Sequence, residues 1–233
     1  MGSDNGESVE QFAILTPRLI IVPTPTAVSF KSYRALYSDL HANVDFCQMG
    51  FGHHFPARVW SDEETRDGIQ TRDIERCWQR RGLGDFAVGL RGPSTFEPDN
   101  HPTQNGDDYV RVAGLNNIHI AASEWVGYAG LRDATTTSMP PREPGDPALP
   151  SWVEMIELRY GVSPKFWGQG IAQEASKAIM RWSVDERGVK RFIAETERDN
   201  SRSGNLLQKL GFTLSDTNYW KEPSELEWEC AAK

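Results

Sequence analysis

The chain has 233 residues, 38% of them hydrophobic and 25% charged, with a formal net charge of −8. That is the composition of a globular chain with a sizeable core, and it excludes collagen-like and low-complexity classes. The acidic balance argues against nucleic acid as a partner, and no apolar run approaches a membrane span.

Residues 1–10 are polar and acidic, without the basic and apolar regions of a signal peptide. We expect a disordered tail there, followed by a single domain over 11–233. Phe12 to Val22 is apolar and β-branched and reads as one strand, punctuated by Thr16-Pro17 and bent or edge-lying near Pro17. Thr24-Pro25-Thr26 starts a helix on which Phe30, Tyr33, Tyr37 and Leu40 recur at helical spacing. His41 to Arg58 reads as irregular. Ser61 to Glu64 is a capping box opening a helix with Ile69, Ile74 and Trp78 inside, stopped at Gly82.

Asp85 to Leu90 and Glu124 to Leu131 read as strands, and 110–122 offers a further one. Two loops depart from a compact chain, near 91–110 and 134–150, the second with five prolines. Trp152 to Val162 reads as a long strand, and the helix after it buries Ile171, Ala175, Ile179 and Trp182. Arg191 to Thr196 is a further strand. Asp199-Asn200-Ser201 caps another helix that ends at Gly211. Phe212 to Trp220 and Leu226 to Glu229 would close a hairpin. This order predicts a mixed α/β fold around a central sheet. Cys47, Cys77 and Cys230 are far apart and odd in number, so we expect a reducing, cytoplasmic setting and no metal.

The chemistry centres on Lys165-Phe166-Trp167-Gly168-Gln169-Gly170-Ile171-Ala172, between a strand and a helix. The first N–H groups of a helix lack intrahelical acceptors, and the helix dipole adds partial positive charge, so such a turn suits a phosphate. Gly168-x-Gly170 alone fits equally a tight turn that only packs strand on helix. A third glycine and a Gly-Lys-Ser/Thr run are both missing, which disfavours a dinucleotide fingerprint and excludes a Walker loop.

The wider constellation resembles the GNAT superfamily of acyl-CoA-dependent N-acetyltransferases. Lys165 to Gly170 fills the family frame Arg/Gln-x-x-Gly-x-Gly/Ala, with lysine as a departure at the first position. Asn200, Ser203 and Leu210-Gly211-Phe212 resemble the family's Asn-x-x-Ser and Leu-Gly-Phe elements. Together with Glu157 and Tyr160, these resemble the RimJ/RimL branch, which acetylates ribosomal protein N-termini.

The resemblance implies a GNAT fold, α/β (α+β mixed), with a central, mostly antiparallel, V-splayed sheet flanked by helices. It implies acetyl-CoA as cosubstrate, with the pyrophosphate on Lys165, Trp167, Gly168, Gln169, Gly170, Ile171 and Ala172. Pantetheine would run along Tyr160, Gly161 and Val162, with a bulge at Gly161, and touch Asn200 and Ser203. The Tyr160 N–H would serve as oxyanion donor. Ser203 is the candidate general acid, because Leu207 stands where many relatives carry a tyrosine. Glu157, expected with Glu154 on opposite faces of one strand, is the candidate base, given a raised pKa; its alternative is pairing with an arginine. His53, His54 and Phe55 are expected to wall the acceptor pocket. The implied acceptor is a primary amine, either a small molecule or a peptide N-terminus, for a monomer or homodimer. A non-catalytic acyl-CoA-binding module is the alternative.

Overall fold

In the computed structural model, residues 11–52, 56–92, 109–114, 120 and 123–232 are described. The apolar N-terminal run folds back on itself: β1 (Phe12–Leu15) and β2 (Leu19–Pro23) pair antiparallel. The expected single bent strand is therefore a hairpin. Pro17 lacks an N–H and breaks the ladder, and Thr16 closes the turn by donating its N–H to the Leu19 carbonyl.

A short helix α1 (Thr24–Ala27) leads to α2 (Lys31–Ala42), which buries Tyr33, Tyr37 and Leu40. The stretch read as irregular contains a helix, α3 (Val44–Phe51). Its sequence has no apolar periodicity to announce it, but the Asn43 side chain caps it by accepting from the Phe46 N–H at 2.9 Å. The Ser61–Glu64 capping box opens α4 (Asp62–Ile69) as expected. That helix widens into a π-helical stretch, Gln70–Trp78, and ends in α5 (Gln79–Arg81), with Gly82 left-handed.

The sheet has nine strands in the order β4-β1-β2-β3-β5-β6-β7-β9-β8. The remaining strands are β3 (Asp85–Leu90), β4 (Val110–Ala113), β5 (Glu124–Asp133), β6 (Ile156–Val162), β7 (Arg191–Glu197), β8 (Thr213–Leu214) and β9 (Glu225–Ala231). Every pairing is antiparallel except that of β6 with β7. Three further helices complete the chain: α6 (Ala134–Thr137), α7 (Ile171–Arg187) and α8 (Ser201–Lys209).

Two boundaries differ from expectation. Trp152–Glu154 is a 3-10 turn, so the strand begins at Ile156 and Glu154 does not share it with Glu157. Arg81 stacks over the Trp152 ring at 4.6 Å, and Arg191 binds the Glu154 carbonyl, which hold that turn. The closing hairpin is short, because only Thr213 and Leu214 pair with β9. In the second loop, Asp133 caps α6, so its first residues are helical.

Apolar side chains cover both faces of the sheet. One face packs Leu158, Val162, Phe192 and Ala194 under Ile179 and Trp182 of α7. The other packs Ile20, Val22 and Tyr128 under α2 and α3. Strands β5 and β6 approach so closely that a Cβ on Gly127 would stand 2.2 Å from the Gly161 carbonyl oxygen and 2.9 Å from Val162 Cα. Both are backbone atoms that cannot rotate away. Gly127→Ala is therefore expected to cost about 3 kcal/mol and to lower Tm by roughly 10 °C. A thermal melt matching the wild type would show that the two strands are not this close.

Candidate active site

The site arises where the sheet opens. Seven residue pairs join β5 to β6 in unbroken register, from Gly127↔Val162 to Asp133↔Ile156. The parallel pairing of β6 with β7 has only Ile156↔Phe192 and Glu157↔Ile193. Beyond those pairs the two strands diverge, and a cavity of about 850 Å³ occupies the gap. The splay thus needs no bulge at Gly161. The register shift among these central strands lies between β3 and β5, at Val88/Gly89. Gly161 instead lies beneath two rings: a Cβ there would meet Phe46 Cζ and Tyr128 Cε1, each at 2.6 Å.

Backbone polarity along the open edge follows from one bond. Ser163 donates its N–H to the Val126 carbonyl, and antiparallel hydrogen bonding alternates. The N–H and C=O groups of Tyr160 and Val162 therefore turn away from β5, toward the gap. The Val162 carbonyl also accepts the Trp167 indole N–H at 2.7 Å. An extended ligand could add to this edge as a further strand would.

At one mouth of the cavity stands the glycine turn. Gly168 and Gly170 have φ of 78° and 76°, a region that favours glycine. The Glu174 N–H makes the helix's first bond, to the Gly170 carbonyl. The N–H groups of Ile171, Ala172 and Gln173 precede it and have no acceptor within the helix. The β1–β2 turn braces this nest. Arg18 pairs with Glu174 at 2.6 Å and donates to the Gln169 carbonyl at 2.8 Å, while Thr16 Oγ1 donates to Glu174 at 2.6 Å. Such a nest suits a diphosphate, and the free edge of β6 beside it suits an amide-bearing arm.

Of the residues expected to contact CoA, Tyr160, Gly161, Val162, Trp167, Gly168, Gly170, Ile171, Ala172, Asn200 and Ser203 line the cavity. Lys165 and Gln169 lie outside its lining; Phe166 and Gln173 belong to it. Asn200 caps α8, its Oδ1 accepting from the Ser203 N–H at 3.1 Å while its Nδ2 donates to the Met49 carbonyl at 2.7 Å. The Tyr160 hydroxyl donates to the Ser203 carbonyl at 3.4 Å, and burial pushes its pKa up to about 12. Leu207 is fully buried in the core.

Glu157 corrects an expectation. Burial works to raise its pKa, but the Arg132 charge, its two hydrogen bonds and that of Ser138 outweigh burial and hold the carboxyl below its usual range. Arg132 grips it in bidentate fashion at 2.7 and 3.0 Å, and the Ser138 hydroxyl donates to the same carboxylate. The raised pKa wanted of a base is absent, and the arginine pairing is what the fold builds. His53, His54 and Phe55 lie outside the described residues. Sequence reasoning missed Arg132, Glu195 and Glu225, which also line the cavity. Only the pairing of β5, β7 and β9 with their neighbours brings them together.

The split sheet, with a helix N-terminus at one end of its gap, defines a GNAT-type α/β fold. Solved structures agree. The acetyltransferase from Agrobacterium tumefaciens superposes with a TM-score of 0.58 at 17% identity, covering 94% of this chain and 93% of that one. RimL, a ribosomal L7/L12 alpha-N-protein acetyltransferase solved in complex with coenzyme A, gives 0.53 at 16% identity, covering 93% and 95%. The family described as acetyltransferase (GNAT) domain matches residues 18–213, and the chain belongs to it. Among curated proteins, FsC-acetyl coenzyme A-N(2)-transacetylase of Aspergillus fumigatus is 32% identical over 104 residues, 45% of this chain and 41% of that enzyme. An N-acetyltransferase 9-like protein of Nematostella vectensis is 37% identical over 60 residues, 25% of this chain and 30% of that protein. The matches thus span less than half the length of these curated relatives. Among the described residues, no helix is long and apolar enough to cross a membrane.

Proposed function

We propose that the chain is an acetyl-CoA-dependent N-acetyltransferase acting on a primary amine by direct transfer. One observation carries this reading: a single cavity connects the anion-binding turn at Gly168–Ala172 with the unpaired edge of β6 at Tyr160. Family membership supports it. When bound, acetyl-CoA would supply a thioester activated for acyl transfer. The N–H groups of Ile171 and Ala172 would take the diphosphate, and the backbone of Tyr160 and Val162 would take the pantetheine amides. The Tyr160 N–H would face the thioester carbonyl and stabilise negative charge developing there. The Ser203 hydroxyl, beside a Tyr160 phenol that stays protonated at neutral pH, would deliver a proton to the departing thiolate. Holding the amine against the thioester would supply much of the rate. The three thiols, all buried and none joined in a disulfide, support placement in a reducing compartment, the cytoplasm.

Leu207, in place of the tyrosine of many relatives, favours a second reading as an acyl-CoA-binding module without catalysis. Acetyl-CoA calorimetry followed by free-thiol release with a panel of amines and N-terminal peptides separates the two. Binding with no release on any acceptor would support the module, and no binding would sink both. On the enzymatic reading, Ser203→Ala should lower kcat by about tenfold or more with acetyl-CoA affinity unchanged. Unchanged turnover would discard Ser203 as proton donor.

A further inference from the structure

Helix α3 lies across the opening of the split and touches both of its sides. On the β6 side the Phe46 ring covers Gly161, where a Cβ would stand 2.6 Å from Phe46 Cζ. On the β7 side the Gly52 backbone packs against Glu197, whose carboxylate a Cβ on Gly52 would meet. Gly52 also has φ of 70°, a region that favours glycine. Just past β7, the Asn200 side chain donates through Nδ2 to the Met49 carbonyl at 2.7 Å. Met49 stands in the last turn of α3, where carbonyls lack a donor within the helix.

Asn200 therefore serves two helix ends at once. Its Oδ1 accepts from the Ser203 N–H at the start of α8, and its Nδ2 serves the end of α3. The two helices belong to opposite faces of the sheet: Leu207 of α8 is buried with the α7 side, Phe46 and Cys47 of α3 with the α2 side. The bond thus joins one face to the other at the open end of the split. The rest of α3 is anchored on α2, with Cys47 Sγ donating to the His41 carbonyl at 3.3 Å and the Phe51 ring stacked on His41 at 5.8 Å. Met49, Gly50 and Phe51 line the cavity. The glycine turn opens into the same cavity at the N-terminus of α7, on the opposite face. A coenzyme seated on that turn fills its mouth and leaves the α3 side for the amine.

We propose that Asn200 is a positioning residue for the acceptor: its side-chain amide clasps α3 across the split, and α3 so held forms the wall against which the amine is oriented. This rests on the acetyltransferase reading above, and it gives Asn200 to the acceptor side where the family resemblance gives it to the coenzyme arm. The residue type follows from the duty. Aspartate caps a helix as well as asparagine does but has no N–H to offer Met49. Serine caps too, but its single hydroxyl is one bond shorter and is taken up by the cap. Asparagine alone among the good caps carries an acceptor and a donor on separate atoms.

The test uses the full chain and the variants Asn200→Ser and Gly52→Ala. Labelling by N-ethylmaleimide, mapped by peptide mass, follows the three buried thiols. Cys47 belongs to α3 and reports its lifting; Cys77 and Cys230 lie on other elements and report wider opening. In N200S, Cys47 should label about fivefold faster, the ratio that one hydrogen bond of ordinary strength sets, with Cys77 and Cys230 as in the wild type. Acetyl-CoA affinity, read by calorimetry, should be unchanged. The KM for phenethylamine, a primary amine whose ring suits the wall of Phe46 and Phe51, should rise by about fivefold. Its kcat should stay close to that of the wild type, because Tyr160 and Ser203 are untouched. G52A should show the same pattern, acting at the other attachment. Unchanged labelling of Cys47 in either variant, equal acceleration of all three thiols, or a fall in kcat at unchanged KM overturns the proposal. Weaker acetyl-CoA binding by N200S overturns it in favour of a coenzyme contact. No thiol release with phenethylamine from a wild type that binds acetyl-CoA overturns α3 as the acceptor wall. Failure of the wild type to bind acetyl-CoA overturns instead the reading on which the proposal rests.

Discussion

Gly170→Asp is expected to abolish CoA binding while leaving the fold intact. Gly170 is left-handed, with φ of 76°, and precedes the first residue of α7. Aspartate tolerates that region better than most residues, and among the described residues a Cβ there meets only Arg18 Nη2, at 3.4 Å. A carboxylate at a helix N-cap even favours the helix. The same carboxylate would occupy the anion nest and oppose a diphosphate. Two unit charges about 4 Å apart repel by about 4 kcal/mol near a protein surface. The CoA dissociation constant should therefore rise by at least about 100-fold, with Tm close to that of the wild type. Calorimetry and a thermal melt check both halves. Unchanged affinity would place the diphosphate elsewhere.

Arg132→Met should be the most destabilising charge substitution at the site. Glu157 is 4% exposed, and its carboxylate depends on the Arg132 guanidinium. Removing one partner of a buried pair leaves an uncompensated charge and costs about 3–5 kcal/mol. The pH dependence distinguishes this from simple loss of packing. In the wild type, Glu157 is held below its usual range. Its contribution is present above the unfolded value, near 4.3, and is lost as pH falls through the folded value. Without Arg132, burial dominates and the folded value rises above the unfolded one. The variant is then least penalised below the unfolded value and loses stability as pH rises through the folded value. The gap in Tm should be wide at pH 7 and narrow toward pH 4. Arg132→Met combined with Glu157→Gln should recover most of the loss at pH 7. A gap independent of pH, or no recovery in the double variant, would refute the pairing as the source.

The two carboxyl environments of this cavity show where sequence reasoning reached its limit. Glu157 stood out because a strand before a glycine turn is where an acyltransferase base would sit. Its neighbour in the ladder, Arg132, lies 25 residues earlier at the end of an apolar run, and nothing local announces that the two face each other. Glu195 looked like an ordinary polar position in a short strand. It becomes unusual only because β9, from the far end of the chain, sets Glu225 against it. Helix α3 was hidden for a related reason: Asn43 is a legible cap, but Phe46 and Phe51 follow no clear period, and packing under Tyr128 selects the helix.

Some features were legible because they depend on neighbours in sequence. The Ser61–Glu64 capping box, the left-handed stops at Gly82, Gly188 and Gly211, and the Asn200 cap are each fixed within about one helical turn. So is the Gly168-x-Gly170 turn, whose conformation only glycine adopts readily and whose helix must leave its first N–H groups unpaired. Those local rules, with the spacing to Asn200 and Leu210-Gly211-Phe212, determined the family and the anion-binding half of the cavity. The tertiary structure alone decided the other half. Strand pairing is non-local, so which carboxyl gains an arginine and which is buried beside another carboxyl depends on register across β5, β6, β7 and β9. Charge acts over distances of a few ångströms in space, and the sequence separates those partners by 25 to 30 residues.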